Sequence, residues 1–266
     1  MNDEALLQSA VDAARAAGEW LRNHLGRIHR VELKGVVDLV TEADRASEQL
    51  LVERLNAALP AATILAEEGS GLPGDPALRW IVDPLDGTTN FAHGYPVFCV
   101  SIALESEGVI RLGVVFDPVR EECFTALRGK GAFLNGSALR VSGVEALDAA
   151  LLVTGFPYDV RTTARDNLSQ FRRFLKTARA VRRDGSAALD LAYVAAGRFD
   201  GFWEESLAPW DMAAGALLVE EAGGRVSGYR GQALDIESGH ILATNGGVHD
   251  AMQAILEEIE REGGLP

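Results

Sequence analysis

The stretch that best indicates the fold is residues 80–91, which read Trp-Ile-Val-Asp-Pro-Leu-Asp-Gly-Thr-Thr-Asn-Phe. Its first three residues are bulky and mostly aromatic or β-branched, which predicts the end of a buried strand. Pro84 is expected to stop the strand ladder there, and Gly87 permits a tight turn. The polar residues 88–90 suit the start of a helix. The stretch therefore predicts a strand, a turn and a helix, with two carboxylates directed at one point.

Asp83 and Asp86 within this stretch are open to two interpretations. Their oxygen atoms suit a hard cation such as Mg²⁺, and free backbone amides at the following helix start suit a phosphate group. Alternatively, the segment is a polar strand-to-helix loop in which both aspartates are only caps, because aspartate is common in loops. The rest of the chain has to decide between a metal site and a loop.

The composition of the chain limits the functions that it could have. Its 266 residues allow one large α/β domain or two closely packed subdomains, and 47% apolar and 24% charged residues are typical of a globular enzyme. The formal net charge of −14 argues against direct binding of nucleic acid. A small phosphorylated substrate would also be repelled unless bound cations reversed the local field. The charge is therefore compatible with a metal-dependent phosphatase.

Cysteine, histidine and hydropathy patterns narrow the class further. Cys99 and Cys123 lie in apolar, strand-like stretches and are expected to be reduced core residues. The five histidines have no zinc-ligand spacing. Neither a signal peptide nor an apolar run long enough to cross a membrane is evident, and we expect a cytoplasmic protein without a membrane contact.

The periodicity of apolar residues predicts an α/β protein in two parts. In the first part we expect helices at about 4–25 and 43–58, a strand region at 31–40 broken at Lys34-Gly35, a Gly/Pro-rich surface loop at 69–78, and strands at 63–66, 80–82, 97–104, 111–116 and 122–126, with a turn and short strand at 128–135. After a boundary near 143–149, strands near 151–154, 180–182, 201–203 and 240–243 alternate with helices near 166–177, 186–196, 211–222 and from 249 onward. Such alternation indicates a mixed or parallel sheet with helices on both faces. We therefore divide the chain into residues 1–145 and 146–266.

Three further acidic positions have a structural and a functional interpretation. Asp44 lies in the first turn of a predicted helix, where it could complement the helix dipole or, facing the loop at 80–91, accept a proton. Glu67 and Glu68 follow a short strand, and at most one of them should be a metal ligand because adjacent side chains point in opposite directions. Asp211 could cap its helix after Pro209 or share a cation with Asp83 and Asp86.

Four separated segments together resemble the inositol monophosphatase family. They are residues 80–91, the Gly-Ser-Ala element at 185–187, Phe202-Trp203-Glu204, and the segment Trp210-Asp211-Met-Ala-Ala-Gly215 with the helix that it begins. The amino-acid sequence of residues 181–221 is most similar to the bacterial branch of the family. The resemblance implies a layered αβαβα sandwich of the inositol monophosphatase and fructose-1,6-bisphosphatase type. It also implies a homodimer that hydrolyses phosphate monoesters with Mg²⁺ and is inhibited by Li⁺.

The resemblance also implies roles for individual residues. Two or three Mg²⁺ ions would be held by Glu67, Asp83, the carbonyl oxygen of Leu85, Asp86 and Asp211. Thr88, paired with Asp44, would orient and deprotonate the attacking water, so that no covalent phosphoenzyme forms. The substrate would contact the phosphate-binding and polyol-binding residues Asp86, Gly87, Thr88, Thr89, Gly185, Ser186, Ala187, Glu204 and Asp211.

The predicted function is hydrolysis of myo-inositol monophosphate and similar small polyol phosphates. The alternatives are a related phosphatase acting on a sugar bisphosphate, a nucleotide 3′-phosphate or histidinol phosphate, or a regulatory partner of the transcription machinery. Asp184, Glu205 and the region of Tyr158 depart from the family pattern and have no assigned role. The tandem Arg182-Arg183 could bind substrate or pair at a surface or dimer interface.

Overall fold

The computed structural model describes residues 2–26, 31–33 and 39–263. The helices are α1 Asp3–His24, α2 Glu42–Ala58, α3 Thr88–Ala92, α4 Leu168–Thr177, α5 Ala187–Ala195, α6 Pro209–Glu221 and α7 His249–Arg261. The strands are β1 Val31–Leu33, β2 Leu39–Thr41, β3 Ala62–Ala66, β4 Asp75–Asp86, β5 Cys99–Ser106, β6 Val109–Asp117, β7 Glu122–Leu127, β8 Gly131–Leu134, β9 Ser137–Ala138, β10 Leu151–Thr154, β11 Ala180–Arg182, β12 Gly201–Glu205, β13 Arg225–Ser227 and β14 His240–Thr244.

Two large sheets organise these elements. The first has seven strands in the order β3-β4-β5-β6-β7-β8-β9, in which β3 and β4 are parallel and all later neighbours are antiparallel. The second has five strands in the order β11-β10-β12-β14-β13. Here β10 pairs in parallel with β11 and β12, whereas β14 is antiparallel to β12 and β13. The mixed sheet predicted for the second half of the chain is confirmed.

Side chains that alternate along the strands divide the interior into three apolar layers. In the seven-stranded sheet, Trp80 and Val82 face α1 and α2, whereas Ile81 between them faces α5 and α6. In the five-stranded sheet, Phe202 faces α5 and α6, whereas Trp203 faces α4 and α7. Each sheet is therefore covered on both faces, and the predicted αβαβα layering is confirmed.

The central layer, α5 and α6, is packed unusually closely. A Cβ atom on Gly215 of α6 would lie 2.5 Å from the Cβ atom of Leu191 in α5. On the opposite side, a Cβ atom on Gly113 of β6 would lie 2.9 Å from the carbonyl oxygen of Ala214. These distances are shorter than van der Waals contact, so glycine is required at both positions. The small residues of α6 thus allow a close backbone approach.

Strand β4 is longer at both ends than the sequence indicates. It begins at Asp75, inside the expected surface loop at 69–78, and it continues past Pro84 to Asp86. Pro84 was expected to stop the ladder, and that expectation is wrong. Asp83 pairs with Ser101 and Asp86 pairs with Cys99, so three steps on β4 match two on β5. One extra residue is therefore accommodated as a bulge, which is where a sheet tolerates proline.

Other differences are small. The short strand β13 was not predicted, and the predicted turn and strand at 128–135 forms the hairpin of β8 and β9. Within the strand region expected at 31–40, β1 and β2 are present and residues 34–38 lie outside the described part. The division at 145 falls between the two sheets and stays a prediction. In the described ranges, no helix is both long and apolar enough to cross a membrane.

Candidate active site

The β4–α3 segment presents Asp83 and Asp86 at the edge of the seven-stranded sheet. Both side chains are buried, and Asp83 Oδ1 accepts a hydrogen bond of 2.9 Å from the backbone N–H of Leu85. Gly87 follows with a φ of +96°, which glycine adopts without strain, and α3 begins at the next residue. The hydroxyl of Ser47 in α2 donates to the carbonyl oxygen of Pro84 at 2.7 Å and so anchors the bulge from behind.

The start of α2 contributes Asp44 to the same region. Asp44 is fully buried, and its Oδ1 accepts a hydrogen bond of 2.9 Å from the hydroxyl of Thr88. The carbonyl oxygen of Leu85 lies 3.1 Å from the same hydroxyl. The structure thus brings together Thr88, Asp44 and the Leu85 carbonyl, three groups that the sequence places far apart or leaves unconnected. Helix-dipole compensation alone would not require such a pair.

The strand end at Glu67 is held in place by a residue that the sequence analysis missed. Glu48 of α2 is buried, and its carboxylate accepts hydrogen bonds from the backbone N–H groups of Glu68, at 2.6 Å, and of Ser70, at 2.8 Å. A signal was available, because Asp44 and Glu48 are four residues apart and therefore share one face of the helix. Glu48 positions the turn that carries Glu67, whose charge acts on Asp83.

Asp86 connects the end of β4 to the start of α5. Its Oδ2 accepts hydrogen bonds from the Ser186 hydroxyl at 2.6 Å and from the Ala188 N–H at 2.8 Å, at the start of α5. The Cys99 thiol lies 3.7 Å from the same oxygen. In this arrangement the Ser186 hydroxyl serves Asp86, whereas the sequence assigned Ser186 to the substrate. Ala188 was not singled out by the sequence.

A second connection runs through Asn90 of α3. Its Nδ2 donates to the carbonyl oxygens of Val97 and of Asp184, each at 2.8 Å. Asp184 and Gly185 form the turn before α5, and Gly185 has a φ of +84°. Asn90 therefore fixes the turn that carries the Gly-Ser-Ala element against the β4–α3 segment.

Asp211 occupies the third position of α6. The helix begins at Pro209, and Asp211 Oδ2 accepts a hydrogen bond of 2.7 Å from the backbone N–H of Ala208. The carboxylate therefore caps the helix, as the structural interpretation expected. Burial and the nearby charge of Asp86 raise its pKa to about 7. Capping and proximity to Asp86 occur together, so the two interpretations do not exclude each other.

The acidic side chains repel one another. Burial, and then the charges of Glu67, Asp86 and Asp211, raises the pKa of Asp83 well above its usual value. Burial also raises the pKa of Asp86, although its hydrogen bonds from Ser186 and Ala188 act in the opposite direction. In the described part of the chain, no lysine or arginine forms an ion pair with Asp83, Asp86 or Asp211. Such a cluster gains stability from a bound cation.

The donor set fits a hard divalent cation, because every candidate ligand is a carboxylate or carbonyl oxygen. Across residues 2–26, 31–33 and 39–263, however, no three acidic, histidine or cysteine side chains are already gathered closely enough to hold an ion. Binding of a metal ion would therefore require the candidate ligands to move closer together.

A cavity of about 90 Å³ opens beside Asp86 and Asp211. It brings together seven of the predicted substrate residues: Asp86, Thr89, Gly185, Ser186, Ala187, Glu204 and Asp211. Gly87 and Thr88 do not line it. A larger cavity of about 720 Å³ lies between α1 and the β6–β7 edge, but none of the predicted site residues lines it. We therefore take the smaller cavity as the candidate active site.

Glu204 projects from the end of β12 into this cavity. A Cβ atom on Gly155 would lie 2.1 Å from Glu204 Oε1, so only glycine leaves room for the carboxylate. Burial, and then the charges of Asp211 and Asp86, raises the pKa of Glu204 well above its usual value. The sequence analysis did not single out Gly155, because its role depends on a contact between parallel strands.

Two further charged residues that lacked an assigned function lie at the cavity. Arg183 lines it, and its positive charge acts on both Glu204 and Asp190. Asp190 of α5 is also a lining residue, is 1% exposed, and has an Oδ1 atom without a hydrogen-bond partner in the described structure. Tyr158 lies at the mouth of the cavity and is half exposed.

Comparison with known proteins finds relatives that match nearly the whole chain. A sequence model of the inositol monophosphatase family matches residues 2–262. The chain is 50% identical over 249 residues to Nus factor SuhB of Pseudomonas aeruginosa, covering 91% of this chain and 92% of that protein. It is 46% identical over 252 residues to inositol-1-monophosphatase of Synechocystis, with 94% and 88% coverage.

Two solved structures give the same result at the level of the fold. The inositol monophosphatase from Anabaena superposes with a TM-score of 0.89 at 45% identity, covering 97% of each chain. The extragenic suppressor protein suhB from Bartonella henselae superposes with a TM-score of 0.89 at 43% identity, covering 96% of this chain and 99% of that one. These similar proteins are therefore named either as inositol monophosphatases or as SuhB.

Proposed function

Because this chain belongs to the inositol monophosphatase family, we propose that it is a Mg²⁺-dependent phosphatase of myo-inositol monophosphate and similar small polyol phosphates. Membership of the family supports a phosphatase. The observation that carries the finer assignment is the cluster of mutually repelling carboxylates formed by the buried Asp83 and Asp86 and the half-buried Asp211, beside a polar cavity. A cluster that needs cations is what a very acidic protein requires to accept a phosphate ester.

The proposed metal ligands are Glu67, Asp83, the carbonyl oxygen of Leu85, Asp86 and Asp211, which would hold two or three ions. Once bound, a divalent cation would lower the pKa of water and offset charge on the phosphoryl oxygens. The protein supplies the positions of its ligands: Ser47 fixes the β4 bulge, Glu48 fixes the turn at Glu67, and the helix start fixes Asp211.

Thr88 and Asp44 are the proposed proton-transfer pair. The Thr88 hydroxyl donates to Asp44 at 2.9 Å, so its oxygen lone pairs are free to accept a hydrogen bond from a water molecule. As the water attacks phosphorus and the P–O bond to the polyol breaks, a proton of the water would pass to Thr88 while the Thr88 proton passes to Asp44. The departing polyol oxygen would take up a proton from solvent. Water is the nucleophile, and the protein forms no covalent phosphoenzyme in this mechanism.

Substrate binding is assigned to the start of α3 and to the cavity beside Asp86 and Asp211. The backbone amides of Gly87 and Thr88, with Thr89, would hold the phosphate at the start of α3. The Gly185–Ala187 turn and Glu204 would hold the hydroxyl groups of the polyol, near Asp86 and Asp211. Hydroxyl groups both donate and accept hydrogen bonds, which suits a wall made of carboxylates and amides.

Phosphate release from a panel of esters tests the proposal. We expect Mg²⁺-dependent hydrolysis of myo-inositol 1-phosphate that falls by orders of magnitude in Asp83→Asn and Asp211→Asn, with Asp250→Asn as an exposed control. Preference for fructose 1,6-bisphosphate, a nucleotide 3′-phosphate or histidinol phosphate would instead identify the related phosphatase. Activity that survives chelation and both substitutions would refute the proposal.

A second candidate function is favoured by the relatives named Nus factor SuhB, at 50% identity in Pseudomonas aeruginosa and 45% in Escherichia coli. This chain would then be a regulatory partner of the transcription machinery. The two functions separate cleanly, because a role that depends only on protein contacts should survive Asp83→Asn and Asp211→Asn. Complementation of a deletion strain by these inactive variants would support the second function.

The remaining features of the proposal concern the assembly and setting of the enzyme. We propose a homodimer that acts in the cytoplasm and is inhibited by Li⁺, built from the parts 1–145 and 146–266. Sedimentation of the purified protein tests the dimer, and Li⁺ titration of the Mg²⁺-dependent activity tests the inhibition.

A further inference from the structure

A second cavity, of about 220 Å³, lies behind the active site. Adjacent residues of β12 point to opposite faces of the sheet, so Glu204 enters the active site whereas Glu205 enters the layer of α4 and α7. Glu205 and Ser206 line both cavities, and the second is completed by Arg165, Tyr229, Arg230, Gln232, His240 and Glu260. None of these completing residues belongs to the proposed catalytic machinery.

Two buried polar atoms of residues that line this cavity have no hydrogen-bond partner in the described structure. Glu205 is 5% exposed, and its Oε1 accepts from Gln170 at 3.0 Å whereas its Oε2 has no partner. Tyr229 is 2% exposed, and its hydroxyl has no partner. The charge of Glu205 acts on Tyr229. Leaving buried polar atoms unsatisfied is unfavourable.

The hydroxyl groups of a ligand would satisfy these atoms. A hydroxyl can donate a hydrogen bond to Glu205 Oε2, and it can accept one from the Tyr229 hydroxyl. Further polar groups line the cavity, since Gln232 Nε2 lies 3.4 Å from His240 Nε2 and Ser206 supplies a hydroxyl. With a volume of about 220 Å³, the cavity has room for roughly seven water molecules.

The charges around the cavity are balanced. Arg230 forms an ion pair of 2.6 Å with Glu260, and the charge of Arg165 acts on Glu205. The lining residues therefore comprise two arginines and two glutamates that offset each other. An anion would have to compete with a glutamate for each arginine, and a cation would have to compete with an arginine for each glutamate. A neutral ligand meets neither cost.

We propose that this cavity is a second ligand site, which binds a small neutral polyol through Glu205 and Tyr229. The proposal does not depend on the reaction at Asp83, Asp86 and Asp211. The segment that forms the shared wall includes Ser206, which has a φ of +63°, a value that a non-glycine residue rarely adopts. The same segment connects Glu204 to Asp211, so the second site is adjacent to the first.

Binding of xylitol to the full-length protein, measured by ligand-observed NMR, tests the site. We expect Tyr229→Phe to weaken xylitol binding roughly tenfold, the loss of one good hydrogen bond. The exposed Tyr95→Phe is the matched control and should bind as the wild type does. Folding of Tyr229→Phe should be unimpaired, because the hydroxyl that it removes has no protein partner.

A crystal structure of the wild-type protein soaked with xylitol tests the site independently of any variant. Density for xylitol between Glu205 and Tyr229 would support the site. Density only in the cavity of Asp86 and Asp211, only water molecules at Glu205, or equal affinity of wild type and Tyr229→Phe would overturn it. Binding of inorganic phosphate at Arg165 instead of xylitol would overturn the assignment to a neutral ligand.

Discussion

Replacing Asp211 by asparagine should abolish catalysis and at the same time stabilise the metal-free protein. The carboxylate lies among other buried acids, and its charge is unfavourable there whenever no cation is bound. Asparagine has nearly the same shape, and its Oδ1 can still accept the hydrogen bond that Ala208 N–H now donates at 2.7 Å. The substitution therefore removes the charge and keeps the helix cap.

The size and sign of the effect follow from the pKa of Asp211. Folding raises this pKa from 3.8 to about 7, and at about 1.4 kcal/mol per pKa unit the full cost is roughly 4 kcal/mol. Because the side chain is partly exposed, solvent screens part of this cost, and we expect a gain of about 2 kcal/mol in the free energy of unfolding. Below pH 3.8 both states hold the proton and the gain disappears; it is complete above about pH 7.

Urea denaturation with a chelator present, at pH 8 and at pH 5, measures this gain. Asp250→Asn is the matched control, since Asp250 is also in the first turn of a helix but is exposed, and its change should be small at both pH values. A variant of Asp211 that is less stable than the wild type at pH 8, or equally stabilised at both pH values, would refute the assignment of Asp211 to a repulsive carboxylate cluster.

Three more predictions follow from single contacts. Thr88→Ala should lower kcat by about 10²–10³-fold while Thr88→Ser retains most activity, because only serine keeps the hydroxyl that Asp44 accepts from; equal kinetics of both variants would contradict the proton-transfer pair. Gly155→Ala should raise KM for the polyol phosphate, since its Cβ would lie 2.1 Å from Glu204 Oε1; an unchanged KM would show that Glu204 does not bind substrate. Burial lowers the pKa of His249 to about 4, so the protein should lose stability as pH falls from 6.5 towards 4, and denaturation of His249→Gln should lack that part of the loss.

The layered architecture could be predicted because it depends on local patterns. Apolar periodicity located α1, α2 and most strands. The prediction that β4 ends at Pro84 was wrong. A proline ends a strand ladder only where no bulge accommodates it, and the bulge opposite Ser101 and Cys99 depends on β5. Such a pairing is a tertiary property that a single segment does not encode.

The residues of the candidate site likewise divide into those with a local sequence signal and those that depend on tertiary contacts. The acids of the candidate site, Asp83, Asp86 and Asp211, were recognisable from short motifs, because a site for a cation and a phosphate constrains residue type and spacing together. The residues that position them, such as Glu48, Asn90 and Gly155, were missed because each acts on a partner far away in the sequence. Glu48 alone carried a local signal, its four-residue separation from Asp44.

The hydrogen bonds from Ser186 and Ala188 to Asp86 have a practical consequence for anyone who follows the maturation of this protein. A chain that has emerged only as far as the first sheet already contains Asp44, Thr88 and the aspartates of β4, yet Asp86 lacks the donors that orient it. Turnover of substrate would therefore report the docking of α5 against β4. Enzymatic activity could then be used to time that step of folding.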